Sequence, residues 1–230
     1  MVVGTGMIGK RFASYQNNDA FVIFASGVSN SKNTDNDDYQ REKELLRSTI
    51  IKNPGKTLVY FSTCGIYDPD EQKSKYVIHK KELEELISEK CNQFQIFRVS
   101  NLVGKSGNPN TVLNFFIHHI RNKINFDLWC NASRNLLDID DMYTIVDHIL
   151  QQQFYTKEII NIANPLSYNV KEIVAAIESL WHIKANYIPI EKGSSFAINI
   201  DLVLPVIQKL DIHFENDYLI NLLKKYYSQQ

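Results

Sequence analysis

A chain of 230 residues is long enough for one α/β domain with a small added lobe. Its 44% hydrophobic and 22% charged residues are those of an ordinary globular protein. Its 25 basic and 26 acidic residues are interspersed, which argues against a nucleic-acid partner. The three cysteines have no paired spacing and the six histidines no ligand spacing, so neither a disulfide framework nor a metal site is expected. There is no signal-peptide pattern and no apolar run long enough to span a bilayer, so the expected setting is the cytoplasm, away from the membrane.

The chain begins with a strand stub, Met1–Val3, that runs into Gly4-Thr5-Gly6-Met7-Ile8-Gly9 and then a helix-like stretch to Tyr15. Strand, GxGxxG and helix in that order are the context of a dinucleotide-binding turn. Glycines let the backbone approach a pyrophosphate, and the following helix supplies free N–H groups. The plainer reading of the same residues is a tight strand-to-helix turn. Ala20–Phe24 then reads as a buried strand ending in Ala25-Ser26-Gly27. A dinucleotide fold needs an acid at the end of its second strand for the adenosine ribose, and none is present here.

A polar loop over Ser29–Asp38 precedes a helix over Tyr39–Ile51, which Pro54-Gly55 ends. Thr57–Phe61 is a strand that leads into Ser62-Thr63, and Tyr76–Lys90 is a helix. Tyr76 and Lys80 are four apart and therefore share a helix face. A free phenol ionises near pH 10. It acts as a base at neutral pH only where a cation held close favours the phenolate, and Lys80 is the candidate cation. With Thr63 at the strand end, the three form a candidate proton-transfer site. The plainer reading of Tyr76 and Lys80 is the exposed first turn of a lysine-rich helix.

Further strands are expected over Gln93–Val99, Asn125–Trp129, Leu136–Ile139, Ile159–Ile162 and Tyr187–Pro189. Helices are expected over Thr111–Asn122, Met142–Gln153, Asn169–Leu180, about Asp201–Leu210 and Glu215–Tyr227, with a loop over Lys105–Asn110 and solvated Gln229-Gln230 at the end. Alternating strands and helices predict an α/β fold with a helix-covered parallel sheet.

The motif order resembles the extended short-chain dehydrogenase/reductase family, which contains nucleotide-sugar epimerases, dehydratases and 4-ketoreductases. The resemblance rests on Gly4–Gly9, Phe24–Gly27, Ser62–Tyr67 and Tyr76-x-x-x-Lys80, with Arg98–Gly104, Arg134–Asp141 and Ile160–Ala163 after them. It implies a doubly wound, Rossmann-like sheet in a single domain. The nucleotide-binding core would be about 1–104 plus 136–163, and the substrate lobe about 105–135 plus 164–230.

The resemblance also implies NAD or NADP as cofactor and a nucleotide sugar as substrate, of a kind used in polysaccharide biosynthesis. Gly4, Gly6, Met7, Ile8, Gly9, Ala25, Ser26, Gly27, Ser62, Tyr76 and Lys80 would bind the cofactor. Thr63, Asn101 and Arg134 would bind substrate, and Thr63, Tyr76 and Lys80 would carry catalysis. Asn101 can equally be a turn cap, and Arg134 can pair with Asp138, Asp140 or Asp141. Cys64 reads as a small buried thiol rather than an auxiliary acid. Cys64-Gly65 follow Thr63 where the dehydratases carry Asp-Glu, so epimerase or ketoreductase chemistry is expected. A homodimer could form through the helices over Tyr39–Ile51 and Tyr76–Lys90, using Ile78 or Leu86.

The chain is shorter than the family pattern. If Phe24–Gly27 is the family's fourth-strand segment, the usual second and third strands and their adenosine site are missing. If it is an ordinary second strand, the sheet loses another piece. The shortening also motivates an alternative function, a degenerate member that binds a nucleotide, sugar nucleotide or protein without redox chemistry.

Overall fold

The structure is a computed structural model describing residues 1–105 and 108–228; part of the expected 105–110 loop and Gln229-Gln230 lie outside the described residues. A five-stranded parallel sheet forms the centre. Its strands are β1 (Val2–Val3), β2 (Phe21–Phe24), β3 (Thr57–Thr63), β4 (Phe94–Val99) and β9 (Glu158–Ile162), in that spatial order. The first four strands are linked by α1 (Met7–Arg11), α2 (Asn36–Lys52) and α3 (Lys75–Lys90).

Between β4 and β9 the chain leaves the sheet. It makes β5 (Asn101–Val103), α4 (Val112–Arg121), β6 (Phe126–Trp129), β7 (Ser133–Arg134) and β8 (Leu136–Asp138), then returns through α5 (Ile139–Gln151). After β9 come β10 (Tyr168–Asn169), α6 (Val170–Trp181), β11 (Tyr187–Ile190), α7 (Leu204–Lys209) and α8 (Tyr218–Tyr227). The expected elements are present to within a few residues at their ends. The short strands β5, β7 and β10 were not legible, because two or three residues carry no periodicity.

Strand order decides the question of the shortening. In a doubly wound sheet the first strand is interior, and the strands after the third lie on its other side. Here β1 pairs only with β2 (Val2 opposite Ile23) among the described residues, and every later strand advances the same way. β2 therefore sits where a fourth strand would, and the chain lacks the pair that would flank β1.

The strands also divide the helices between two faces. Val22, Phe24, Leu58, Tyr60 and Ile96 pack with Leu46 of α2 and Leu83 and Ile87 of α3. The alternate residues Ile23, Val59, Phe61 and Phe97 pack with Phe12 after α1 and Met142, Ile145 and Ile149 of α5. The β1–β2 and β2–β3 connections advance in one direction but use opposite faces, so they have opposite hands. One of them must be the left-handed type that a few per cent or less of such crossovers adopt. A five-residue helix between two short strands makes this possible, since little helix has to pack against the sheet.

A second apolar cluster joins α4, α6, α8 and β6 around Ile120, Leu128, Ile173 and Leu222. α8 is tied back to the start of α5. Lys225 bonds Asp138 and Asp140 at 2.7 and 2.8 Å, Tyr226 donates to Asp138, and Tyr218 donates to Asp141. Among the described residues no helix is long and apolar enough to cross a membrane.

Candidate functional site

The carboxyl ends of β1, β2 and β3 form one edge, the place where open α/β sheets bind ligands. Gly4 turns the chain there with φ +124°, and a Cβ on it would lie 2.3 Å from the Ala25 carbonyl oxygen. Gly9 faces the same constraint, 2.4 Å from the Gly4 oxygen. Gly6 differs: a Cβ there would meet nothing within 4 Å. Two glycines of the turn are thus required by packing of the turn itself, while the third lies on open surface at the head of α1. Met7 and Ile8 are half-buried behind it. The Met7 sulfur would lie 2.7 Å from a Cβ at Gly104, which brings the Asn101–Gly104 segment against the turn.

Ser74 caps α3 by accepting from the Val77 N–H, so Tyr76 enters in the first turn and Lys80 one turn later. The Lys80 ammonium is 5.8 Å from the centre of the Tyr76 ring. Tyr76 is half-buried, and no described residue hydrogen-bonds its hydroxyl. Thr63 ends β3, and its Oγ1 accepts from the Gly65 N–H at 2.9 Å. A Cβ on Gly65 would be 3.1 Å from Thr63 Oγ1 and 3.9 Å from a Val77 methyl, so the short turn brings Thr63 beside the first turn of α3.

Lys80 itself is 3% exposed. Its ammonium donates to Glu42 Oε1 at 2.8 Å and to the Tyr60 hydroxyl at 3.0 Å. Glu42, on α2, is 2% exposed, and its Oε2 also accepts from the Val28 N–H and lies 3.1 Å from His79 Nε2. Tyr60 donates to Glu42 Oε1 at 3.1 Å, and the His79 ring lies against Tyr39. Burial pushes the Glu42 carboxyl up, but the Lys80 charge and the hydrogen bonds from His79, Lys80 and Val28 outweigh it and hold it at about 2. Burial pulls the Lys80 pKa down, but the facing Tyr60 and Glu42 outweigh it and hold it above the usual ammonium range. Gly27 roofs this pair, since a Cβ there would lie 2.7 Å from Glu42 Oε1 and 2.8 Å from Lys80 Nζ. Ala25 and Ser26 are half-buried beside it.

The Glu42 cluster was missed in the sequence, although a signal exists. Tyr39, Glu42, Leu46 and Thr49 form the buried stripe of α2, and an acid in an apolar stripe implies a buried partner.

Ser62 points to the same face of the sheet as Tyr60, and its hydroxyl donates to Glu84. Glu84 is also held bidentately by Arg98, which in turn donates to the Tyr67 hydroxyl. Tyr67 donates to Asn161, and the Cys64 thiol donates to the Arg98 carbonyl. Burial pushes the Cys64 thiol up to about 12, in keeping with a small buried thiol. This network clamps the turn after β3 onto β4.

Asn101 is exposed and donates to the Asn135 carbonyl. Arg134, next in sequence to Asn135, lies 3.9 Å from Asp68 at the end of the β3–α3 turn. Its partner is thus none of Asp138, Asp140 and Asp141, which bond Lys225, Tyr226, Arg11 and Tyr218 instead. Asn101, Asn135 and Arg134 therefore stand on the lobe side of the same sheet edge.

For a nicotinamide dinucleotide, the turn fits at the pyrophosphate: Gly6 leaves the backbone open at the head of α1. The adenosine end does not have the usual support, because β2 runs into Ala25-Ser26-Gly27 with no acid and, among the described residues, β1 has no further strand beside it.

No curated protein sequence matches the chain significantly. Among solved structures, RMD from Pseudomonas aeruginosa complexed with NADPH is similar, at TM-score 0.74 and 13% identity, covering 100% of this chain and 98% of that one. The dTDP-glucose 4,6-dehydratase of Bacillus anthracis, in complex with NAD, gives TM-score 0.71 at 16% identity, over 97% of this chain and 77% of the other. The ADP-L-glycero-D-manno-heptose-6-epimerase of Helicobacter pylori gives 0.68 at 16%, over 96% and 75%. At these identities the likeness is one of fold. The sequence profile of one family matches residues 10–163, which is more than half of the chain. With the glycine turn, the strand end and the Tyr76–Lys80 face gathered on one sheet edge, that match makes the chain a member of the NAD-dependent epimerase/dehydratase family.

Proposed function

We propose that the protein is an NAD(P)-dependent oxidoreductase acting on a nucleotide-activated sugar, of 4-epimerase or 4-ketoreductase type. The observation that carries this reading is the face of α3, where the Tyr76 hydroxyl has no described partner and the Lys80 ammonium lies 5.8 Å from its ring. Bound nicotinamide would supply the hydride acceptor or donor. Gly4, Gly6, Met7, Ile8 and Gly9 would hold the pyrophosphate, with Ala25, Ser26 and Gly27 along the adjoining strand end. Thr63 would hold the reacting oxygen and Tyr76 would exchange its proton. Lys80, with two of its three N–H groups used by Glu42 and Tyr60, would have one left for the nicotinamide ribose. Ser62 would act indirectly, through Glu84 and Arg98. Asn101 and Arg134 would contact the sugar diphosphate, Arg134 by a bidentate pair.

Self-association through the amino-terminal halves of α2 and α3 belongs to the same reading, with Ile78, 47% exposed in the first turn of α3, as its contact and the carboxyl-terminal turns of both helices outside it.

A second reading, a binder without redox chemistry, is favoured by one observation: the Lys80 charge is already compensated by Glu42. Calorimetric titration of NAD(H) and NADP(H) into wild type and Tyr76→Phe separates the two. On the enzyme reading wild type binds, Tyr76→Phe binds within about threefold, and its turnover falls by roughly a hundredfold or more. Its stability should move by less than about 0.5 kcal/mol, since no described hydrogen bond is lost. If neither cofactor binds at millimolar concentration, the enzyme reading is wrong.

A further inference from the structure

At the opposite, amino-terminal ends of β2 and β3 the C-terminal turns of α2 and α3 line a half-open cavity of about 590 Å³. That volume lies within the range of small-molecule sites, about 300–1,000 Å³. Val22 and Leu58 form its floor, with Ile50 and Leu86 as its walls. Of the charged residues lining it, Arg47, Lys56 and Lys90, all are cations and none is a carboxylate. Among the described residues Arg47 and Lys90 have neither an ion pair nor a hydrogen-bond partner, whereas Lys56 lies 3.5 Å from the fully exposed Asp19. Cys91, on the same wall, does not change this balance, because burial pushes its thiol up to about 11. An apolar chamber with an uncompensated cationic rim suits a ligand with one anionic end and an apolar body.

We infer that this cavity binds a small amphipathic monoanion, its apolar part against Ile50, Leu58 and Leu86 and its anionic head at Arg47 and Lys90. The site is independent of the nucleotide edge, which lies at the other end of the same strands. Two free cations that hold an anion at a partly exposed rim confer a modest gain each, and salt screens it.

The test is fluorescence titration with 1-anilinonaphthalene-8-sulfonate, with decanoate and decanol as competitors. The expected result is saturable binding of one probe per chain, displaced by decanoate better than by decanol and weakened by salt. NADH should not displace it, which keeps the outcome separate from that of the cofactor titrations. Arg47→Glu with Lys90→Glu should weaken binding roughly tenfold. Both residues are exposed, so this variant should fold even if a cavity-filling Leu86→Trp does not. The inference is overturned by absence of saturable binding, by affinity indifferent to the charge reversal, or by equal displacement by decanol. It is also overturned if the chain floats with phosphatidylglycerol vesicles through Arg47 and Lys90, or if size-exclusion chromatography shows a second copy covering the cavity and blocking the probe.

Discussion

Glu42→Ala is expected to destabilise the fold by about 3–5 kcal/mol, the cost of leaving a buried charge without its partner. Lys80 stays in the core with only the Tyr60 hydroxyl to bond, and the Val28 N–H and His79 lose their acceptor as well. Since whole domains are held by about 5–15 kcal/mol, the variant should be near its limit. Urea unfolding measures the loss. The paired replacement Glu42→Leu with Lys80→Met should recover much of it, because removing both charges of a buried pair is often close to neutral. A double variant no more stable than Glu42→Ala would show that packing rather than charge is at stake.

The same group gives a pH dependence with a definite sign. The folded-state pKa of Glu42, about 2, lies below the ordinary value of 4.5. Its contribution is therefore fully present above the unfolded value and is lost as pH falls from about 4.5 to about 2. Urea midpoints for wild type should fall across that window more steeply than for the Leu–Met pair. Parallel curves would remove Glu42 as the source.

The second large effect separates two glycines of one motif. Gly4→Ala forces a side chain into φ +124° with its Cβ 2.3 Å from the Ala25 oxygen, so the turn must part from β2. We expect a loss on the order of 3 kcal/mol from strain and overpacking together. Gly6→Ala meets no atom within 4 Å, and the backbone there (φ −70°, ψ −173°) is open to any residue. It should change stability by less than about 1 kcal/mol. On the proposed function it should still weaken NAD(P)H binding roughly tenfold, since the methyl occupies the surface a pyrophosphate would approach. Thermal melts and calorimetry on the two variants measure both effects. If Gly6→Ala leaves cofactor affinity unchanged, the pyrophosphate does not lie on that turn.

The sequence by itself determined the local elements and the residue types of the site. Short continuous apolar runs such as Leu58–Phe61 and the helical stripe of α3 are set by neighbours within a few residues, so they can be read without the fold. The same holds for the Tyr76–Lys80 spacing, for the glycine turn after β1, and for the absence of an acid at the end of β2.

What only the tertiary structure decided depends on residues far apart in the chain. Pairing of Val2 with Ile23 and the one-way strand order show that the unit beside β1 is missing, which no local pattern can express. Arg134 has carboxylates close by in sequence, yet it lies nearest Asp68, because Lys225, Arg11, Tyr218 and Tyr226 reach those acids first. Glu42 and Lys80 are separated by a strand and a turn, and they meet because α2 and α3 lie side by side on one face of the sheet. A buried charge must find its counter-charge wherever the fold brings one, and sequence distance does not enter that requirement.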